Sequence, residues 1–189
     1  MPRLRGRFGR DVYLFAERCA STQRLLPDDA PDGAVAVAEE QEQGRGRMGR
    51  IWTAPHGTSL LVSVALRPGV DPVRLPTLTV VAAEAVRELV ARLGLDAAVK
   101  APNDVLVAGR KVAGVLGEAL EGRVVLGVGL NVTQSADELP ERPVFPATSL
   151  ALELGETPER AGLLIELLVL LERGYDAWLS PGDAGARAR

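Results

Sequence analysis

DVLVAGRKVAGVLGEALEGRVVLGVGLNV, residues 104–132, decides how the rest of the chain can fold. Three apolar runs, at 104–107, 111–120 and 123–132, are separated only by AGR and EG. Such short, glycine-containing links are hairpin turn chemistry, so the stretch predicts an antiparallel meander. Gly114, Gly117, Gly127 and Gly129 thin the side chains out of its strands. Glycine inside a strand marks a bulge or a ligand close to the backbone, and packing against a long helix explains it equally well.

Working outward, residues 71–93 predict that long helix. Asp71-Pro72 is its start signal, Val80, Val81, Ala85, Leu89 and Leu93 are its apolar positions, and Gly94 stops it. Pro76 marks where the regular helix begins. Further upstream, GAVAVAEEQ (33–41) and TSLLVSVALRP (58–68) read as strands, as does the run from Val12 to Phe15. Ser21 reads as the N-cap of a short helix ended by Pro27 and the PDDAPDG cluster. Downstream, PATSLALEL (146–154) predicts a short helix. Thr157-Pro158-Glu159 then predicts a cap with proline at the first helical position, opening a helix to about Leu179. Ala161, Leu164, Leu168, Leu171, Tyr175 and Trp178 fall on one face of it, which Leu163, Leu167 and Leu170 widen. One domain over 1–180 and a disordered tail over 181–189 are expected, with no internal repeat.

Between the two upstream strands lies QGRGRMGRIWTAPHG (43–57), with Arg45, Arg47 and Arg50 among Gly44, Gly46, Gly49 and Gly57 and no acidic residue. Glycine lets the backbone approach a ligand, and arginine forks match carboxylate or phosphate. A solvated basic loop is the bland alternative. Trp52 favours the anion site, because a loop so polar has little use for an indole unless the ring packs on something flat. Strands anchor its ends, so the loop is expected to order when its ligand arrives.

Composition sets the remaining bounds. At 189 residues, 47% hydrophobic and 25% charged, the chain is an ordinary globular domain able to bury a core. A formal charge of −3 argues against a nucleic-acid-gripping protein. The single Cys19 excludes an intrachain disulfide, and with only His56 beside it there is no Cys/His metal cluster. MPRLRGRFGR leads into a mixed run instead of an apolar signal core, and LLIELLVLL (163–171) is too short to span a bilayer. A cytoplasmic protein with no membrane partner is expected.

STQ (21–23), EEQEQGRGRMGRIW (39–52), KAPNDVLVAGRKVAGVLGE (100–118), VLGVGLNV (125–132) and PATSL (146–150) resemble, in order and spacing, the successive signatures of biotin protein ligases. The resemblance covers roughly residues 12–179. It implies an α+β fold of the class II synthetase-like kind, a mixed and largely antiparallel sheet backed by helices. It also implies two reactions: biotin and ATP give biotinyl-5'-AMP and pyrophosphate, and a lysine of a biotin carboxyl carrier protein, such as that of acetyl-CoA carboxylase, then takes the biotinyl group.

By the same resemblance, Ser21, Thr22, Gln41, Gly44, Arg45 and Gly114 are expected at biotin. Arg47 and Lys111 are expected where the biotin carboxylate meets the α-phosphate. Two anions must react there, so cations aimed at the developing charge supply the largest catalytic term. Without the motif, Lys111 would read as an exposed turn lysine. Arg50, Trp52, Asn103 and Asn131 are expected at ATP, Trp52 near the adenine. Asp104 is expected either to hold Mg²⁺ with the phosphates or to accept a proton from the incoming lysine, whose reference pKa of about 10.4 keeps it charged. Pro102 biases Ala101 towards extended backbone and so fixes where Asn103 and Asp104 point.

Two positions depart from the family pattern. Ala101 replaces a tryptophan expected to wall the biotin pocket, and Gln23 stands where asparagine is usual. The small C-terminal β-barrel and the N-terminal helix-turn-helix of repressor-type members are not recognised in this sequence, so no nucleic-acid partner is expected. A homodimer is a reasonable expectation for the family. A degenerate biotin-binding relative and a lipoate or octanoate transferase of the same fold are the competing readings.

Overall fold

The computed structural model describes residues 6–140 and 145–180. Its sheet has seven strands: β1 (Tyr13–Cys19), β2 (Val35–Gln41), β3 (Ser59–Leu66), β4 (Ala97–Lys100), β5 (Asp104–Val107), β6 (Arg110–Leu120) and β7 (Arg123–Asn131). They lie in the order β1-β2-β3-β7-β6-β5-β4. β1 and β2 run parallel, and the other neighbours are antiparallel. Four α-helices accompany the sheet: α1 (Thr22–Leu25), α2 (Leu78–Arg92), α3 (Leu150–Leu154) and α4 (Arg160–Leu179). This is the mixed, largely antiparallel sheet backed by helices that the sequence predicts.

The meander forms through two tight hairpins. Ala108-Gly109 and Glu121-Gly122 all take positive φ, from 48° to 79°. Left-handed pairs match the natural twist of the strands they join. β4 extends the meander by one strand that AAVK is too short to announce. β1 runs to Cys19, four residues past the predicted run, because the parallel ladder to β2 continues as far as Cys19 opposite Gln41.

α2 and α4 cover one face of the sheet and form the main core with Val35, Val62, Val64, Leu66, Val115 and Leu130. Asp71 caps a 3-10 turn at Pro72–Thr77 by accepting from the Val73 N–H, and the α-helix begins after Pro76 as expected. Its buried positions are Leu78, Ala82, Ala83, Ala85, Val86, Leu89 and Val90, while Val80, predicted to be apolar-facing, is exposed. Val81 meets α4 at Gly174, where a Cβ would sit 3.0 Å from its methyl. Val80, the next position round the helix from that crossing, faces outward.

α4 begins at Arg160, later than the proline signal suggests. Glu159, not Thr157, is the cap, its carboxylate accepting from the Gly162 N–H. Ala161 is exposed, and Leu163, Leu167 and Leu170 lie at the centre of the buried face instead of at its margin. The helix start is apolar almost all round, so hydrophobicity alone could not choose its face. In 146–154 only Leu150–Leu154 is helical, capped by Ser149; the residues before it run extended beside β6. The predicted tail at 181–189 lies outside the described residues.

The segment before β1 is tied to α4. Arg7 donates to Glu172 and Asp176, and Phe8 packs on Tyr175. The buried Tyr175 hydroxyl donates to Asp32 at 3.0 Å. Burial and then Asp32 push the phenol well above the usual tyrosine range. The folded form resists ionisation that the unfolded chain accepts near pH 10. The contribution to stability is therefore complete below about pH 10 and drains away as the pH rises further. Tyr175→Phe is expected to cost about 1 kcal/mol at neutral pH and to flatten the alkaline loss. Urea denaturation of both proteins at neutral and alkaline pH checks this.

Candidate active site

The site face is the sheet face turned away from α2 and α4. Gly114 stands opposite Gly129 and Leu116 opposite Gly127 in the β6–β7 ladder, which leaves a patch of bare backbone. The indole of Trp52 lies on it. A Cβ at Gly129 would come within 2.5 Å of the ring and one at Gly114 within 3.0 Å. Trp52 is only 9% exposed, and its Nε1 is buried with no hydrogen-bond partner. A Cβ at Gly127 would meet Gln23 at 3.2 Å. Gly117 faces the other way, where a Cβ would meet Thr79 of α2 at 2.6 Å. Packing against the helix thus accounts for Gly117, while Gly114, Gly127 and Gly129 make room for the protein's own Trp52 and Gln23.

Residues 43–52 form a lid over this floor. Trp52 N–H donates to the Gly44 carbonyl and Gly46 N–H to the Arg50 carbonyl, making a small hairpin closed by a 3-10 turn at Arg47–Gly49. Met48 sits at the tip with φ 58° and is 86% exposed. Gly44 is required by this hairpin, since a Cβ would lie 2.2 Å from the Trp52 carbonyl oxygen.

Lys111 reaches the site face through a register shift. The β5–β6 ladder pairs Val105 with Ala113 and then Leu106 with Lys111, so Val112 is an extra residue. One inserted residue reverses the alternation. Lys111 and Gly114, three apart, thereby share a face with Asp104. Lys111 Nζ lies 2.6 Å from Asp104 Oδ1 and 5.6 Å from the Trp52 ring centre. Its main chain is clamped as well: Lys111 N–H donates to the Pro146 carbonyl and its own carbonyl accepts from Thr148 N–H.

The polar end of the cavity comes from the β1–α1 junction and β2. Ser21 is buried but makes no side-chain cap bond, so its hydroxyl is not spent on α1 as the sequence suggested. Gln41 Oε1 accepts from the Thr22 N–H and hydroxyl, and Thr22 also shares a hydrogen bond with Ser63. Gln23 donates to the carbonyls of Leu116 and Val125, so it braces the floor.

The cations divide into two groups. Arg45 is matched by Glu118 at 2.8 Å and Lys111 by Asp104. Arg47 donates to the neutral Asn103 Oδ1, and the Arg50 guanidinium donates to the Met48 sulfur. Among the described residues neither Arg47 nor Arg50 is matched by an acid, so charge is left for an anionic ligand there.

Ser21, Thr22, Gln41, Arg45, Arg47, Arg50, Trp52, Asn103, Asp104, Lys111 and Gly114 line one cavity of about 90 Å³. Gly44 and Asn131 do not line it. Asn131 is buried with its Nδ2 donating to Thr148 and its Oδ1 accepting from Gln134, so its amide serves the clamp behind Lys111. Ala101 is exposed and off the cavity wall, and its bond to Pro102 is cis. Leu116, Val128 and Ile51 also line the cavity; they fall within the motif stretches, but an apolar residue there reads as core and drew no role from the sequence.

The chain matches the model of the biotin/lipoate A/B protein ligase family over residues 15–135. It is 42% identical over 153 residues to the biotin–[acetyl-CoA-carboxylase] ligase of Mycobacterium tuberculosis, covering 78% of this chain and 56% of that protein. With the bifunctional ligase/repressor BirA of Bacillus spizizenii it shares 36% over 179 residues, 89% of this chain and 55% of the relative. The chain thus spans about half the length of these curated relatives. The Aquifex aeolicus biotin protein ligase in complex with biotin and ATP superimposes with a TM-score of 0.78 at 31% identity, covering 88% of this chain and 71% of that one.

Proposed function

The chain belongs to the biotin/lipoate A/B protein ligase family, and on that premise we propose that it is an ATP-dependent biotin protein ligase. It would join biotin to AMP with release of pyrophosphate and then pass the biotinyl group to a lysine of a biotin carboxyl carrier protein. The observation that carries this reading is one cavity with neutral polar groups at one end and acid-free arginines in its lid.

Ser21, Thr22 and the Gln41 Nε2 donor suit the ureido ring, whose donors and acceptors are fixed. Gly114, Gly129 and Trp52 give the flat floor. The unpartnered Trp52 N–H is the sort of buried donor that a ligand acceptor completes. Its place near Lys111 favours the reacting end of the ligands over the adenine expected from sequence. Arg47 and Lys111 would neutralise the carboxylate and α-phosphate as they meet, with Arg50 on the outer phosphates and Asn103 beside the nucleotide. The cavity is smaller than the roughly 300–1,000 Å³ of ligand pockets, so the lid lifts to admit both substrates and closes on them.

Among the described residues Asp104 is the one carboxylate lining the cavity, and it already holds Lys111. Among the described residues no group of three or more His, Cys, Asp or Glu side chains could hold a metal. Magnesium carried on the phosphates needs only one or two protein carboxylates, so Asp104 would either hold the ion there or, keeping Lys111 aimed, accept the incoming lysine's proton. No helix among the described residues is long and apolar enough to cross a membrane, which suits the cytoplasmic home proposed for the protein. For the homodimer expected of the family, β1 offers an outer strand bearing exposed Tyr13 and Phe15.

Incubation with biotin, Mg·ATP and an unmodified carrier domain tests the proposal, read by intact mass. Addition of one biotinyl group is expected, and lipoate in place of biotin should give none. Thermal stabilisation by biotin without adenylate would instead identify a binding relative.

A further inference from the structure

Arg45 is the first lid side chain beyond the Gly44–Trp52 base to reach across to the sheet, and Glu118 of β6 receives it. Glu118 falls on the site face, two residues beyond Leu116, yet does not line the cavity. The pair joins parts of the chain 73 residues apart. The second fastening, Arg47 to Asn103, is a neutral hydrogen bond at 3.2 Å. Besides the Trp52 ring packed at its base, the lid is tied down among the described residues by these two side-chain bonds, of which one is an ion pair.

We propose that Glu118 is a positioning residue: its carboxylate holds Arg45, and through it sets the lid over the cavity. This rests on the cavity being the ligand site. It separates the loop arginines by role. Arg45 is mainly a fastener whose charge is met within the protein, while Arg47 and Arg50 face the anions. Lifting the lid breaks the Arg45–Glu118 pair, and closing it on ligand remakes the pair, so the carboxylate biases the closed arrangement without touching substrate.

Both partners are partly exposed, with 45% and 35% of their side-chain surface accessible. The effect should be modest and screened by salt. Glu118→Gln, Arg45→Gln and the double variant form a cycle, read first by limited trypsin digestion. Arg47 and Arg50 are exposed at the hairpin tip, so trypsin reaches both, but cleavage still needs the hairpin to open locally into the protease, which fastening its base resists, and it requires no activity. Glu118→Gln is expected to speed that cleavage about threefold with the melting temperature unchanged. It should raise KM for biotin by a similar factor, with kcat within about twofold. The double variant should be no faster than Arg45→Gln alone, since Glu118 acts through Arg45. Lid cleavage by Glu118→Gln at the parental rate, or single effects that multiply in the double variant, would overturn the assignment. Faster lid cleavage in a protein that forms no adenylate would sink the ligase reading and leave the latch standing.

Discussion

Lys111→Ala is expected to cut biotinyl-adenylate formation by two to three orders of magnitude, equivalent to about 2.7–4 kcal/mol of transition-state stabilisation. Three features focus the effect on the reaction. Lys111 is 9% exposed and lies beside the Trp52 ring, so its charge acts in a partly dehydrated cavity. Its main chain is clamped on both sides by Pro146 and Thr148, which fixes where the ammonium points. The substitution also strips Asp104 of its ion-pair partner, leaving a carboxylate beside two anionic substrates. Lys111→Ala/Asp104→Asn separates the contributions. If lost cation charge dominates, the double variant stays as slow as the single one; if the bare carboxylate dominates, activity partly returns. Pyrophosphate exchange into ATP measures both, with circular dichroism to confirm the fold. Unchanged turnover in Lys111→Ala would remove this residue from the mechanism.

Gly129→Ala should be the most damaging single methyl addition at the site. The new Cβ would meet the Trp52 indole at 2.5 Å, closer than any real contact, and that ring is also held by Gly114 and by the Trp52–Gly44 backbone bond. Either the ring tilts and drags the lid with it or β7 shifts within the β3–β7–β6 ladders. Overpacking of this kind costs about 1–3 kcal/mol. The expected result is a lower melting temperature together with at least a tenfold loss of biotin affinity by calorimetry. Trp52→Leu should recover part of the stability in the Gly129→Ala background, because a smaller side chain vacates the collision. If Gly129→Ala binds biotin as the parent does, the indole does not form the floor.

How much of this was legible in the sequence follows from which signals are local. The hairpins at Ala108-Gly109 and Glu121-Gly122 are written in adjacent residues, and they form as read. The arginine–glycine loop could be placed between its strands, and most of the predicted binding residues converge on one cavity. Asn131 and Ala101 lie off the cavity, which the sequence does not announce, because a motif gives residue type and spacing, not where a side chain spends its hydrogen bonds or which way it faces. Asn131 is used by Thr148 and Gln134, and Ala101 points to solvent. The Lys111 register shift cannot be seen in strict alternation, which would put Lys111 and Gly114 on opposite faces. Glu118 had no signal of its own, since its meaning depends on Arg45, far away in the chain. The faces of α2 and α4 were blurred for a related reason: both are apolar over more than one stripe, and the two helices meet at Val81 and Gly174.

The strand order carries one more consequence. β1 to β3 and β4 to β7 are two blocks, each contiguous in sequence, and the strands of the two meet at the ladder of eight residue pairs between β3 and β7. The lid, Thr22 and Gln41 belong to the first block; Lys111, Asp104 and the glycine floor belong to the second. A chain severed in the exposed link around Gly69 would yield two halves, each with an incomplete binding surface. Biotin recognition would then report their reassociation, which makes the fold a natural candidate for fragment complementation.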